Sequence, residues 1–98
     1  MRVVLRPEAE QELLEAQAWY EAKVLGLGLE FAHAADAAIA TALRNPLGHL
    51  CIDGEFRRVL FRKFPYTLIY RPTSDELLVV AFFHQHREPG SWMKWFDN

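Results

Sequence analysis

The sequence predicts an α+β fold: an N-terminal strand, an antiparallel helical hairpin and an antiparallel sheet, in the order β-α-α-β-β-β, packed as a two-layer sandwich. Three observations predict it. Apolar residues recur at helical spacing through residues 7–44. Runs rich in β-branched and aromatic residues then follow one another through residues 56–84. The links between those runs are short, which makes successive strands antiparallel neighbours.

Each element has a local reason. "RVVL" (residues 2–5) is a short β-branched run, and Pro7 ends it. Proline suits the first turn of a helix, and Glu8, Glu10 and Glu12 favour its positive end. Ala9, Leu13, Ala16, Tyr20 and Val24 form one apolar stripe, so a helix is expected to about residue 24. "GLG" (26–28) breaks it. A second helix is expected from about Leu29 to Arg44, with Phe31, Ala35, Ala38, Ile39, Ala42 and Leu43 as its stripe. Its many alanines allow close approach of the first helix, hence a hairpin. "NPLG" (45–48) ends that helix, and Asp53-Gly54 lies in the loop beyond. "FRRVLFRKF" (56–64), "YTLIYRP" (66–72) and "ELLVVAFFH" (76–84) read as strands, with turns at "FPY" and "PTSDE".

The totals narrow the function. With 98 residues the chain is expected to be a single domain, 1–98. Hydrophobic residues make up 51% and aromatics 13%, a globular composition. No apolar run approaches the ~20 residues of a membrane span. "MRVVLRPEAE" turns polar too early for a signal peptide, so a cytoplasmic protein is expected. One cysteine, Cys51, forms no internal disulfide and reads as a small filler residue. The net charge of −2 argues against a sequence-blind nucleic-acid binder. Acids crowd residues 7–16 and bases crowd 57–63, so the mean hides one acidic and one basic side.

Arg57, Arg58, Arg62 and Lys63 fall on one expected strand. Alternation there puts Arg58 and Arg62 on one face, Arg57 and Lys63 on the other. Guanidinium groups bind carboxylate or phosphate through a planar fork, and lysine acts as a point charge. Either a solvated strand face or a binding surface accounts for the cluster. His84 and His86 are two apart on a strand and share a side. The direction of Arg87 stays open because Glu88-Pro89-Gly90 bends the chain. His84-x-His86 with Cys51 falls short of a zinc site, and neither CxxC nor HExxH spacing occurs, so no metal is expected. His84 also reads as a strand-end residue bonded to a carbonyl. Trp19 and Trp92 read as packing residues, and Trp95 as part of a packed tail or an exposed contact surface.

These segments, taken in order, resemble the RelE/ParE superfamily of type II toxin–antitoxin toxins. "LRPEAEQELLEAQAWYE" is similar to its opening strand and helix, and "GLGLEFAHAADAAIATALRNPLGH" to its second helix and Asn-Pro exit. "FRRVLFRKFPYTLIYR" resembles its paired central strands, and "VVAFFHQHREPGSW" its last strand. No one motif is specific; their order across nearly the whole chain carries the resemblance.

The resemblance implies a toxin without a cofactor, neutralised by a cognate antitoxin that wraps it with an acidic extended or helical segment, forming a hetero-oligomer. In its ParE-like branch, it implies binding to a target such as DNA gyrase, with no catalytic residues. In its RelE-like branch, it implies ribosome-dependent mRNA cleavage, metal-independent, with His84 shuttling a proton and Arg87 stabilising the phosphate. The low charge and long hairpin look more like the first branch. A non-toxic interaction module is the remaining alternative. In the binding readings, Arg57, Arg58, Arg62, Lys63, His86 and Trp95 are the expected contacts to target or antitoxin.

Overall fold

Pro7 turns the chain from strand to helix, and the rest of the fold is arranged around that turn. The structure, a computed structural model, describes residues 1–86. It contains β1 (Arg2–Leu5), α1 (Pro7–Lys23), α2 (Leu27–Arg44), β2 (Cys51–Asp53), β3 (Phe56–Leu60), β4 (Tyr66–Pro72) and β5 (Glu76–His84). Helix α1 has no side-chain cap. It relies on Pro7, whose missing N–H needs no partner, and on Glu8 and Glu10 in its first turn, with Lys23 in its last.

The second helix starts two residues before the sequence suggests, because "GLG" does not simply break the chain. Gly26 is left-handed, at φ 89°. The Glu21 carboxylate, at the end of α1, accepts hydrogen bonds from the backbone N–H of Gly26 (3.0 Å) and of Gly28 (3.0 Å). One helix thus caps the next. Gly28 is buried inside α2, and a Cβ there would stand 2.7 Å from the Gln17 carbonyl oxygen. The hairpin closes to this distance only over a glycine.

Among the described residues the sheet has five strands, in the order β1-β5-β4-β3-β2. The β3-β4-β5 meander is antiparallel, as expected. Two features lie beyond the local pattern. β1 pairs in parallel with β5, from Arg2 opposite Glu76 to Leu5 opposite Val79, so the sheet is mixed. An ion pair between Arg2 and Glu76 sits at the start of that ladder. At the other edge, the short β2 folds back on β3 across Gly54 (φ 56°). β3 also ends at Leu60 instead of residue 64. The chain turns over residues 61–65, with the Phe61 N–H donating to the Tyr66 carbonyl at 2.9 Å, and Phe61 and Phe64 enter the core from that turn.

A bulge in β5 decides which side chains reach the helices. Tyr70 is opposite Val79 and Ile69 is opposite Ala81, so Val80 is an extra residue. Before it, Leu77 and Val79 face the main core; after it, Phe82 does. Val80 and Ala81 both join a second cluster, with Ile69, on the other sheet face. One inserted residue reverses the parity of the strand end. His84, in phase with Phe82, is thereby sent toward the helical side.

The main core lies between hairpin and sheet. Phe31, Ala35, Ala38 and Ala42 of α2 are buried in one cluster with Leu68, Tyr70 and Phe82. Phe31 is its aromatic centre, with ring centroids of Tyr66 at 4.9 Å, Phe64 at 5.1 Å and Tyr20 at 5.2 Å. Val24, expected at the end of the α1 stripe, is 59% exposed because the helix has already ended. Among the described residues, no helix is long and apolar enough to cross a membrane.

Candidate functional site

The basic residues of the 57–63 segment separate. Arg57 is half-buried, and its Nη1 donates to the carbonyls of Leu47 (3.0 Å) and His49 (2.8 Å). With the Tyr70 hydroxyl donating to the Pro46 carbonyl at 2.7 Å, it pins the loop after α2. Arg58 is exposed and, one residue on, belongs to the opposite sheet face. Because β3 stops at Leu60, strand alternation does not extend to Arg62 and Lys63. Both are exposed in the turn, on the rim of a groove of about 550 Å³ between α2 and the β3 edge.

That groove has an apolar floor of Ala34, Ala37, Ala38, Val59 and Phe61. Arg44 and His33 of α2 add to its basic rim, with Glu30 as the acidic exception. β2 covers only the start of β3: its pairs are Cys51 with Arg57 and Asp53 with Phe56, and the Arg58 N–H donates to the Leu50 carbonyl. Among the described residues, no strand covers that edge from Val59 onward. The backbone groups there can take an added strand.

His84 and His86 lie in a second depression, of about 670 Å³, between α1 and the ends of β4 and β5. Their ring centroids are 5.1 Å apart, and the His84 ring meets Tyr66 edge-on at 5.1 Å. The backbone N–H of His86 donates to His84 Nδ1 at 3.1 Å, a bond that needs this nitrogen unprotonated. Glu12, Glu15, Trp19 and Tyr20 of α1 form the facing wall. The two depressions share no lining residue. The structure therefore groups Arg62 with Lys63 and His84 with His86, but not the two pairs together. Arg87, Trp92 and Trp95 lie outside the described residues.

Cys51 is exposed on β2. Among the described residues, no group of three or more His, Cys, Asp or Glu side chains is placed to hold a metal ion. The sequence does not single out Glu12, Glu15, Glu30, His33 or Arg44 as site residues: Glu12 reads as a helix-terminal charge and Arg44 as a helix end. The available signal was spacing: Glu12, Glu15, Trp19 and Tyr20 recur on one helical face, as do Glu30, Ala34, Ala37, Thr41 and Arg44.

Comparison with known proteins decides the family. The model of the ParE toxin of type II toxin–antitoxin system, parDE, matches residues 3–89. The chain belongs to the ParE toxin family, within the RelE/ParE superfamily. Among solved structures, this ParE-family chain is similar to one from the chromosomal ParDE TA system from P. aeruginosa, with a TM-score of 0.72 at 12% identity. The likeness covers 86% of this chain and 95% of that one, and at such identity it establishes the shared fold. No curated protein matches the chain.

Proposed function

We propose that the chain is a toxin that acts by binding its target, DNA gyrase, in the cytoplasm, and that an antitoxin neutralises it through the groove between α2 and β3. The observation that carries the antitoxin reading is the open β3 edge beside an apolar floor with Arg44, Arg62 and Lys63 at its rim. An extended segment pairs with such an edge through its backbone, places apolar side chains on the floor and sets carboxylates against the cations. Inhibition by binding needs no clustered acid, base and phosphate clamp. RNA cleavage needs them together. Of its two candidates, His84 lines the depression beside α1, apart from the cations of the groove, and Arg87 lies outside the described residues.

Expression of the chain alone and together with the product of the neighbouring gene, followed by a supercoiling assay with purified gyrase, tests this reading. Growth arrest, relieved by co-expression, and loss of supercoiling are expected. Codon-phased mRNA cuts with normal supercoiling would establish cleavage instead, and unimpaired growth would leave only an interaction module.

A further inference from the structure

We infer that the segment seated in the groove between α2 and β3 is centred on Leu60 and carries two apolar side chains separated by one residue, with a carboxylate on either flank. The inference rests on reading that groove as the antitoxin's seat and adds its register and its recognition motif. The β3-β4 ladder fixes which backbone groups are on offer. The Phe61 N–H donates inward, to the Tyr66 carbonyl at 2.9 Å, in the register that sets Val59 opposite Leu68 and Leu60 opposite Thr67. The Arg58 N–H points the other way and donates to the Leu50 carbonyl at 3.1 Å. Directions alternate from residue to residue in an antiparallel ladder. Leu60, two residues beyond Arg58, therefore turns both its N–H and its C=O away from β4, toward the edge that no strand covers among the described residues.

Pairing at Leu60 dictates the side chains of the occupant. The residue opposite Leu60 points to the same sheet face as Leu60, and its two neighbours point to the other. That other face is the one of Val59 and Phe61, which belong to the main core and line the groove. There α2 presents only the methyl groups of Ala34, Ala37 and Ala38, where larger side chains would close the space of about 550 Å³. Two apolar side chains fill it; polar ones would be buried there without partners. The charges are placed by the direction of the helix. Phe31, near the start of α2, meets the Phe61 ring at 5.4 Å, while Pro46, just past its end, accepts the bond from Tyr70, opposite Arg57. Arg44 thus stands at one end of the groove, and Arg62 and Lys63 at the other. A carboxylate on each flank meets a cation. Glu30 shares the Phe61 end and offsets part of its charge, so the acid beside Arg44 counts for more. A nucleic-acid strand would satisfy the cations but brings no amide pair to Leu60.

The test is an NMR titration of the full chain with three probes: acetyl-Asp-Glu-Leu-Thr-Leu-Glu-Asp-amide, a control peptide with Thr-Leu-Thr at its centre, and octa-adenylate. The first peptide is expected to shift the Leu60 amide saturably and to slow its exchange with solvent about tenfold or more. The control, equal in charge, should bind about tenfold more weakly. Ala37→Phe, at an exposed helix position, should weaken the first peptide about tenfold by filling the floor, while amide shifts remote from α2 and β3 stay in place. Equal binding of the two peptides overturns the inference. So do shifts confined to Arg44, Arg62 and Lys63, retained affinity in Ala37→Phe, and octa-adenylate binding where the peptide does not. A Leu60 amide already protected in the free chain overturns it too, because a segment of this chain or a second copy then holds the edge. Co-expression is read separately: growth arrest relieved by the neighbouring gene product, with Leu60 unmoved by the peptide, overturns the register alone and leaves the antitoxin reading standing.

Discussion

The carboxylate of Glu12 on α1 accepts a hydrogen bond of 3.0 Å from the backbone N–H of Phe82, two residues past the bulged Val80 of β5. Helix and sheet are joined at the point where the strand changes phase. Glu12→Ala removes the acceptor and leaves a buried N–H without this bond, at a cost of about 1–3 kcal/mol. Glu12→Gln keeps an acceptor oxygen and should recover most of that loss. Urea denaturation of both variants measures the difference, and equal midpoints would refute the bond's role.

Gly28→Ala drives a methyl group to 2.7 Å from the Gln17 carbonyl and 3.0 Å from the Glu21 Cβ. The hairpin must open or the Glu21 carboxylate must leave its two backbone donors. A loss of about 1–3 kcal/mol is expected, the usual cost of overpacking. Gly26→Ala meets no atom within 4 Å but must hold φ 89°, so its cost is pure backbone strain, about 1 kcal/mol. Thermal unfolding of the pair separates the two mechanisms.

Burial raises the Tyr70 phenol above its ordinary pKa of 10.0; the positive charge of Arg57 partly opposes this and Cys51 adds to it. The folded chain therefore keeps a proton that the unfolded chain releases as pH passes 10.0. The stabilisation is complete below that pH and is lost as pH rises toward the folded-state value. Tyr20 is raised by burial as well and contributes in the same direction. Tyr70→Phe loses the bond to the Pro46 carbonyl, about 1 kcal/mol at neutral pH, and should show a shallower decline in stability above about pH 10. Urea midpoints across that range provide the check.

Arg62→Glu and Lys63→Glu reverse the charge of the groove rim without touching the core. Each should weaken antitoxin binding, and the loss should shrink as salt is added, because exposed charges are screened. Arg58→Glu, on the opposite sheet face, should change affinity far less. Calorimetric titration at two salt concentrations distinguishes these cases.

How much of this was legible in the sequence depends on how far each signal reaches. Strands 66–72 and 76–84 were plain, because β-branched and aromatic runs there are bounded by proline and polar turns. The strand from Phe56 was extended too far. Phe61 and Phe64 continue an apolar pattern, yet the core receives them from a turn. The Cys51–Asp53 strand is three residues long and exists only through its pairing with β3. Nothing near Arg2 announces a parallel partner more than 70 residues away. The Val80 bulge was equally silent, since alternation cannot count an extra residue until both registers are known. That gap matters for the site: His84 and His86 were visible as neighbours, but not the bulge that turns His84 toward α1. Glu12 read as a helix-terminal charge because its backbone partner lies on another element.

The placement of β5 between β1 and β4 has a temporal consequence. A chain emerging from the ribosome holds its opening strand and its helices long before residues 76–84 exist, and contacts of such wide separation form last. Until then β1 has no strand to pair with, Glu12 lacks the Phe82 donor, and neither His84 nor His86 faces Trp19. Translation itself sets the earliest moment at which the molecule can engage anything, and an antitoxin already synthesised would meet it newly made.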